Sequence, residues 1–327
     1  MKINSLAVIG AGIAGMVVAR TLADAGVDVT VFDKSRGSGG RFASTRVGDL
    51  TADLGAPWIV SEQTAMGDWL TSYSDVTASW TPARADFSLV GAGDGLTGLV
   101  AIPRSSALTR QLGAGCRLVP ETLVTVVWPD QQGVILRDGG SEPLGHFDAV
   151  VVATPAPQAL PLLDAVPRFR QRAGEAGTVP AWVCVVELDA RPERLVSADW
   201  LEGDHPLFRR VVRDSSKPGR TGEIWVLEAQ ALWSQEYIHL TPETVGAEMQ
   251  AAFEVLAGEP LSVLSSRVHR WLYAHATPCG CEELSFWDPG TGIGACGDWL
   301  HAGGVEGSWQ SGVDLARQLL AARRDVA

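Results

Sequence analysis

The apolar positions near the start of the chain change their spacing twice. Residues 6–9 form a short apolar run, typical of a buried strand, and residues 14–25 place apolar side chains at helical intervals. Gly26 ends that helix, and residues 28–32 alternate into a second strand. This order predicts a β-α-β unit with two parallel strands and a helix that crosses between them.

The next strongly apolar strand covers residues 149–153. It is preceded by residues 123–128 and 133–137, which a Gln131-Gln132-Gly133 turn would join as antiparallel neighbours. These three segments predict a β-meander inserted before the parallel sheet resumes. The chain closes with an apolar run at 294–296 and a helix over 306–323, so we expect the C-terminus to supply the last helix of the first domain.

A second domain is predicted from the strand-like residues 179–188 and 223–229, which are separated by loops such as Lys217-Pro218-Gly219. We expect its sheet to be mainly antiparallel. A helix over 241–257 should pack against that sheet, because Thr241 suits an N-cap and Gly258 suits a C-terminal cap.

Size and charge narrow the classes of function. The chain has 327 residues, of which 46% are hydrophobic, and this length predicts two closely joined domains. Its net charge of -12 disfavours nucleic acid or an anionic membrane as partner, since both attract clustered Lys and Arg. Glycines interrupt the apolar residues 6–25, and no other run reaches the roughly 18 residues of a membrane span, so we expect a soluble, cytoplasmic protein.

The cysteines are five, an odd number without a regular framework, which is typical of reduced thiols in a cytoplasm. Only Cys279 and Cys281 are close in sequence. No second pair or suitably spaced His accompanies them, so we interpret them as loop thiols and predict no metal site.

Gly10, Gly12 and Gly15 form G-x-G-x-x-G between the first strand and its helix. Such glycines allow a tight turn and let the backbone approach a pyrophosphate at the helix N-terminus. Asp33 ends the second strand, where its carboxylate can accept hydrogen bonds from the ribose of adenosine. Gly93–Gly98 repeats the glycine pattern, but β-like residues and Pro103 follow it, so we expect a hairpin connection and no second nucleotide site.

Two further segments favour FAD as the dinucleotide. Residues 34–41 form a glycine-rich loop whose N–H groups and Arg41 can hold phosphate or flavin oxygens. Near the C-terminus, Asp298 can accept hydrogen bonds from ribitol hydroxyls, and the last helix, at Val305-Glu306-Gly307, can direct its N-terminus at the flavin. No Cys or His lies in a recognised attachment motif, so we expect the FAD to be non-covalent.

Motifs along the whole chain resemble those of bacterial renalases. They are D-K-S-R-G-S-G-G-R from Asp33, D-L-G-A from Asp53, A-T-P-A-P from Ala153, W-S at Trp233, H-R-W-L-Y-A from His269, C-G-D-W from Cys296 and V-E-G from Val305. The resemblance implies an α/β, p-hydroxybenzoate-hydroxylase-like fold, distantly related to amine oxidases, in which a Rossmann-type FAD-binding domain carries an inserted, mainly antiparallel substrate domain. We place the FAD-binding domain at 1–57, 101–157 and 288–327, and the substrate domain at 58–100 and 158–287.

The resemblance also implies an activity and site residues. The activity is oxidation of 2- and 6-dihydro-NAD(P) isomers to NAD(P)⁺ by hydride transfer to the flavin, with O₂ reduced to H₂O₂. Together with the motifs above, it assigns cofactor binding to Gly10, Gly12, Ile13, Ala14, Gly15, Asp33, Lys34, Gly40, Arg41, Ala56, Pro57, Val124, Asp298, Val305 and Glu306.

The substrate side departs from those renalases. Pro57-Trp58 stands where they have Gln-Tyr, Gly304 replaces an Arg, Glu228 a His and Ala181 a Thr. These departures predict altered substrate selection. The residues we expect near the substrate are Trp58, Trp182, Arg270, Trp271 and Trp299, although a Trp is often simply a core residue, Arg270 could instead be an ion-pair partner and Glu306 a helix cap.

Two other functions stay open at this point. Amine oxidases usually hold a Lys near flavin N5 through a water, and none of Lys2, Lys34 and Lys217 is well placed for that, since Lys217 lies in a turn. Oxidation of an amine or another small molecule is therefore the weaker alternative. A flavin-binding sensor without turnover is the other.

Overall fold

A computed structural model describes residues 2–61, 63–90 and 95–324. Contacts between Cα atoms divide the chain into two compact units. The first unit comprises Met1–Gly40, Thr109–Thr178 and Ala276–Ala327, and the second comprises Arg41–Leu108 and Val179–His275. Residues 41–57 and 101–108, predicted to belong to the FAD-binding domain, thus lie in the second unit, and residues 158–178 and 276–287, predicted to belong to the substrate domain, lie in the first.

Strands and helices alternate in the first unit and strands dominate the second. The described strands are β1 Ser5–Ile9, β2 Asp28–Phe32, β3 Ser44–Val47, β4 Leu50–Asp53, β5 Val60–Ser61, β6 Thr77–Trp80, β7 Arg84–Ala85, β8 Gly98–Ala101, β9 Arg117–Val119, β10 Val124–Pro129, β11 Val134–Asp138, β12 Pro143–Phe147, β13 Ala149–Val152, β14 Gly177–Leu188, β15 Trp200–Glu202, β16 Phe208–Arg213, β17 Glu223–Ala229, β18 Val263–Thr277, β19 Phe286–Asp288 and β20 Ile293–Ala295. The described α-helices are α1 Ile13–Asp24, α2 Ala65–Leu70, α3 Ser106–Leu112, α4 Ala156–Ala159, α5 Pro167–Glu175, α6 Ala231–Glu236, α7 Pro242–Ala257 and α8 Gly304–Arg324.

The first unit is built on a six-stranded sheet in the order β19-β20-β13-β1-β2-β9. Strand β1 pairs in parallel with β2 and β13, and β13 pairs in parallel with β20, while β19 is antiparallel. The predicted β-α-β unit is therefore confirmed, and α8 packs along α1. All four residues of β13 are buried, as expected for a central parallel strand.

The meander differs from the sequence prediction in its third strand. Strands β10 and β11 pair antiparallel, as expected, but their third partner is β12. Residues 149–152 instead join the parallel sheet beside β1. Strand β12 is not predicted from the sequence, because Pro143, Gly145 and His146 weaken the alternation of apolar and polar residues in this strand.

The second unit is built on a sheet in the order β18-β14-β17-β16-β15-β7. Its pairs β14–β17, β16–β17 and β15–β16 are antiparallel, which confirms the predicted type of sheet, although β15 and β16 were not foreseen. Helix α7 buries Val245, Met249 and Phe253 in the core on one face. The β3–β4 hairpin contributes Val47, Ala52 and Leu54 to the core on the other.

The predicted caps of α7 are confirmed. The hydroxyl of Thr241 accepts a hydrogen bond from the N–H of Thr244, and Gly258 ends the helix with φ +74°. Helix α8 begins at Gly304, two residues before the predicted start, so Val305 and Glu306 lie in its first turn. No helix among the described residues is long and apolar enough to cross a membrane.

The second glycine-rich motif lies partly outside the described residues, which include neither Gly93 nor Asp94. The part that is described leads directly into β8, which pairs antiparallel with β5 and β6. No helix starts at its last glycine, Gly98, so this motif lacks the strand-turn-helix context of a dinucleotide site.

Candidate functional site

The first glycine motif forms the turn between β1 and α1. Gly10 has φ +107°, and a Cβ added there would lie 2.7 Å from the carbonyl oxygen of Ala153. A Cβ on Gly15 would lie 2.1 Å from the carbonyl oxygen of Gly10. Both residues must therefore be glycine for the turn, strand and helix to pack.

Gly12, unlike Gly10 and Gly15, borders open space. A Cβ added to it would meet no atom within 4 Å, and its φ of -78° suits any residue. Gly12 precedes the first residue of α1, where the free N–H groups of a helix point outwards. Open space at the N-terminus of a buried helix is what a bound phosphate requires.

Asp33 is held at the end of β2 by backbone donors. Its two carboxylate oxygens accept hydrogen bonds from the N–H groups of Ala11 and Ser35, each at 2.7 Å. A carboxylate oxygen accepts more than one hydrogen bond, so each can still receive a ribose hydroxyl. The turn and the acid are thus fixed to each other before a ligand binds.

The loop after Asp33 folds back over the same turn. The N–H of Gly39 donates to the carbonyl oxygen of Ala11 at 2.8 Å, and a Cβ on Gly40 would lie 3.4 Å from the Cα of Gly12. Gly40 also has φ +53°. Glycine at 40 therefore permits a close approach of this loop to the open space at Gly12, while Lys34 lies exposed on the loop.

The C-terminal motif lies in the same unit. The N–H of Gly297 donates to the hydroxyl of Ser311 at 2.9 Å, which ties the segment before α8 to the helix itself. Asp298 is 3% exposed. A Cβ on Gly307 would lie 1.7 Å from the carbonyl oxygen of Ala302, so this first turn of α8 also depends on glycine.

A buried hydroxyl beside the glycine turn supports a polar ligand. The Oγ1 of Thr154 is buried and has no hydrogen-bond partner among the described residues. The Cγ2 of the same side chain lies 3.3 Å from the Cβ position of Gly10. With the space at Gly12 and the carboxylate of Asp33, these residues fit a dinucleotide such as FAD.

The cofactor-binding residues that the sequence predicts are divided between the units. The first unit contains Gly10, Gly12, Ile13, Ala14, Gly15, Asp33, Lys34, Gly40, Val124, Asp298, Val305 and Glu306, and the second contains Arg41, Ala56 and Pro57. Within the second unit the N–H of Ala56 donates to the carbonyl oxygen of Arg41 at 3.2 Å. A Cβ on Gly55 would lie 1.9 Å from that oxygen, which explains the glycine in D-L-G-A.

Two of the tryptophans predicted to face a substrate are core residues instead. Trp182 is fully buried, and its indole N–H donates to the carbonyl oxygen of Tyr237 at 3.1 Å. Trp299 is 1% exposed, and its N–H donates to the carbonyl oxygen of Thr154. Neither ring offers a free face for stacking, so the prediction that they contact a substrate is wrong for this structure.

The remaining substrate-side residues of the prediction are half-buried or exposed in the second unit. Trp58 lies with its ring 5.3 Å from that of Trp200, and the indole N–H of Trp271 donates to the carbonyl oxygen of Leu54. Arg270 is exposed and donates to the carbonyl oxygen of Ile238 at 2.6 Å. Its guanidinium also lies 5.5 Å from the ring of Trp182, which makes a structural role evident.

A buried ionic network was not foreseen from the sequence. The ammonium of Lys217, expected only in a turn, lies 2.8 Å from Asp53 and 2.7 Å from Asp214, with all three side chains at most 3% exposed. Arg220 adds a second cation 2.6 Å from Asp53. Burial alone would raise the pKa of Asp53, but Lys217, Arg220 and the N–H of Ser105 outweigh it and hold that pKa below its ordinary value.

A second charged cluster surrounds Glu228. Its carboxylate is 4% exposed and lies 2.5 Å from Arg210, 3.0 Å from Arg209 and 2.7 Å from His275. Burial favours the neutral acid, but Arg210, His275 and Arg209 together lower the pKa of Glu228 to about 2. The carboxylate is therefore ionised at neutral pH.

Both clusters line one narrow recess of the second unit. Asp53, Asp214, Lys217, Arg210 and Glu228 share its walls with Pro57 and with apolar side chains of the sheet. Its cavity of about 10 Å³ holds roughly one water molecule. In the sequence Asp53, Pro57, Lys217 and Glu228 stand out separately, but no motif connects them with Asp214 and Arg210, so their meeting in one recess was not predicted.

Cys279 and Cys281 lie in the loop between β18 and β19, with their sulfur atoms 3.2 Å apart. Both thiols lie 3.3 Å from the carbonyl oxygen of Leu300. Within the described part of the chain no group of three or more His, Cys, Asp or Glu side chains is arranged to hold a metal ion.

Comparisons with known proteins agree with this geometry. Residues 8–73 match the family model of an NAD(P)-binding Rossmann-like domain, and residues 81–320 match that of flavin containing amine oxidoreductases. A solved structure of a candidate protoporphyrinogen oxidase from Exiguobacterium sp. 255-15 is 12% identical, with a TM-score of 0.73 over 98% of this chain and 99% of that one. An oxidoreductase from Methanosarcina mazei is 13% identical, with a TM-score of 0.68 over 96% of this chain and 100% of that one. At these identities the likeness shows the fold alone.

Proposed function

This chain belongs to the family of flavin containing amine oxidoreductases, and from that premise we propose that it is a renalase-like oxidase of 2- and 6-dihydro-NAD(P) isomers. Bound FAD would supply the hydride acceptor and would pass the electrons to O₂ to give H₂O₂. The side chains and backbone of this chain would bind the cofactor, orient the dihydronicotinamide and exclude water.

FAD is the cofactor that the first unit suits best. Gly12 would leave room for the pyrophosphate at the N-terminus of α1, and Asp33 would accept ribose hydroxyls. Asp298 would accept hydrogen bonds from ribitol hydroxyls beside the N-terminus of α8.

We propose that FAD binds non-covalently, so acid or heat should release the flavin from the protein. Yellow colour that stays with the denatured chain would contradict this.

One observation carries the choice of substrate class: among the described residues, the buried acidic and basic side chains of the second unit are all ion-paired. Lys217 is held between two carboxylates, Glu228 between arginines, and Glu223 accepts from Arg213 at 2.7 Å. An amine is mostly an ammonium ion at neutral pH and must lose a proton before a hydride can leave. A dihydronicotinamide needs no base, because loss of hydride gives an aromatic pyridinium, so positioning is most of the catalysis.

The test is anaerobic mixing of the oxidised holoprotein with separate reductants while flavin absorbance is recorded. The 2- and 6-dihydro-NAD(P) isomers should bleach the flavin faster than ordinary 4-dihydro-NAD(P)H and faster than any amine. Admission of O₂ should then restore the absorbance and produce H₂O₂.

The name of the family makes amine oxidation the second candidate, and the same experiment decides between them. Bleaching by an amine, with no response to any of the dihydronicotinamide isomers, would refute the renalase-like assignment. The p-hydroxybenzoate-hydroxylase-like arrangement belongs to the same proposal and would be tested by a structure of the flavin complex.

A further inference from the structure

The sheet of the second unit contains an irregularity next to Glu228. Arg210 of β16 lies opposite Glu228 of β17, but the pairing register shifts between Phe208 and Arg210. Arg209 is thus an extra residue, as in a β-bulge. Neighbouring residues of a regular strand point to opposite faces, yet here both arginines reach the same carboxylate.

This bulge leaves more positive than negative charge on one face. Glu228 supplies a single carboxylate for two guanidinium groups. Arg210 is further fixed by the ring of Trp200, 5.8 Å from its guanidinium. Because guanidinium groups remain protonated, the pair of arginines with Glu228 carries one net positive charge at neutral pH.

Arg209 is the more accessible of the two arginines. Its side chain is 42% exposed, against 17% for Arg210. Its bonds to Glu228 and His275 all use Nη1. Toward the described residues its Nε and Nη2 make no hydrogen bond, and a guanidinium fork with free donors is well matched to phosphate or carboxylate oxygens.

We propose that Arg209 and Arg210 form an anion subsite that binds the diphosphate of the dinucleotide substrate. Glu228 is a positioning residue in this subsite, because it holds both guanidinium groups on one face. The identity of the anion rests on the proposed function; the subsite itself rests on the bulge and the charge. A carboxylate-bearing substrate presents the same chemistry, and the experiment separates the two.

The test compares two substrates, of which only one has the diphosphate and the adenosine attached to it. Steady-state oxidation is measured with 6-dihydro-NAD and with 6-dihydronicotinamide riboside, which contains no phosphate, for wild type and Arg209→Gln. Loss of a charge-assisted bond should raise KM for the dinucleotide about tenfold or more and leave kcat unchanged. KM for the riboside should not change, and Arg209→Lys should restore part of the difference.

Arg267→Gln is the matched control, since Arg267 is an exposed arginine of β18 and its replacement removes the same charge from the same unit. Its KM values should equal those of wild type. Glu228→Gln keeps a side-chain oxygen that can accept from both guanidinium groups and so preserves their position, but it removes the competing negative charge, so KM for the dinucleotide should fall. A KM that changes equally for both substrates in Arg209→Gln, or for neither, would overturn the subsite.

Calorimetry of the holoprotein with inorganic diphosphate separates this inference from the proposed function. If wild type oxidises neither substrate, the proposed function is wrong, and the subsite is judged by binding alone. Diphosphate that binds wild type and Arg267→Gln but at least about tenfold more weakly to Arg209→Gln supports it. Equal binding to all three proteins, or tighter binding of succinate than of diphosphate, overturns it.

Discussion

The two units build their polar sites from different parts of the chain. In the first unit the groups around the glycine turn are mostly backbone atoms, at Ala11, Gly12, Ser35 and Gly39, arranged around one carboxylate. In the second unit the polar groups are side chains that meet from separate strands and turns, such as Lys217, Asp53 and Glu228. A backbone site depends on where glycine is tolerated, whereas a side-chain site depends on how charges balance.

This difference has consequences for mutation. A glycine turn fails when a Cβ occupies space that the fold or the ligand needs. A buried ionic network fails when one partner is removed and the other charge stays behind without compensation. Substitutions that remove a buried partner from the ionic networks of the second unit should therefore act mainly on folding, and substitutions at the ligand-facing positions of the first unit mainly on flavin affinity.

The largest effect is expected at Lys217. Lys217→Ala leaves the buried Asp53 and Asp214 with Arg220 as their only cation in the network. Removing one partner of a buried ion pair costs about 3 to 5 kcal/mol, so the free energy of unfolding should fall by that amount in a urea titration of the apoprotein. Lys2→Ala is the control, because Lys2 is exposed. A loss no larger than that of the control would show that the network does not stabilise the second unit.

The contrast between a site of backbone groups and a site of distant side chains also explains why the sequence predicted the first unit better than the second. The sequence predicts the elements β1, α1 and β2, the position of Asp33 and the need for glycine at 10 and 15. Each of these features is encoded within a few neighbouring residues. The charged cluster around Glu228 could not be predicted from the sequence. It depends on the register of β16 and β17 and on a bulge at Arg209, and no local pattern encodes either.

Burial explains the remaining errors. The motif context of Trp182 and Trp299 placed them near a substrate, but a motif does not reveal which face of a strand or loop a ring takes. In the structure both indole N–H groups have carbonyl partners inside a core. The turn at Lys217 was predicted, but the sequence does not show that this turn folds inward, where two carboxylates compensate the charge of Lys217.

The next effect is a dependence of stability on acid pH. The ordinary pKa of Glu228 is 4.5, and its neighbours Arg210, His275 and Arg209 hold it at about 2 in the folded protein. Between these values the unfolded chain binds a proton that the folded chain does not, so stability falls as pH falls through this window. The full contribution is roughly 3 kcal/mol above pH 4.5.

Glu228→Gln isolates this contribution. The difference in unfolding free energy between wild type and Glu228→Gln should be largest above pH 4.5 and should shrink as the pH is lowered toward 2. Denaturant titrations at several pH values measure it. A difference that stays constant over that window would mean that the ion pairs of Glu228 do not hold its proton off in the folded state.

Asp298 tests the side-chain component of the first unit. Asp298→Ala removes a buried carboxylate that we expect to accept hydrogen bonds from ribitol hydroxyls. Each such charge-assisted hydrogen bond contributes about 1.5 to 3 kcal/mol to the binding of FAD. The dissociation constant of FAD, measured by fluorescence titration of the apoprotein, should rise by about tenfold or more. Asp164→Ala is the control, since that side chain is 70% exposed in the same unit. Unchanged FAD affinity would remove Asp298 from the cofactor site.

The smallest effect is the one at Gly12, and it separates a ligand requirement from a folding requirement. Because a Cβ there meets nothing within 4 Å, Gly12→Ala should alter the stability of the apoprotein by less than about 0.5 kcal/mol. The same methyl group would occupy the space proposed for the pyrophosphate, so the dissociation constant of FAD should rise about tenfold, or about 1.4 kcal/mol. Gly15→Ala is the contrasting variant: its Cβ would lie 2.1 Å from the carbonyl oxygen of Gly10, so it should destabilise the apoprotein itself by about 1 to 3 kcal/mol. If Gly12→Ala bound FAD as tightly as wild type, the open space at this turn would not be the pyrophosphate site. The backbone groups of the first unit would then have no assigned ligand.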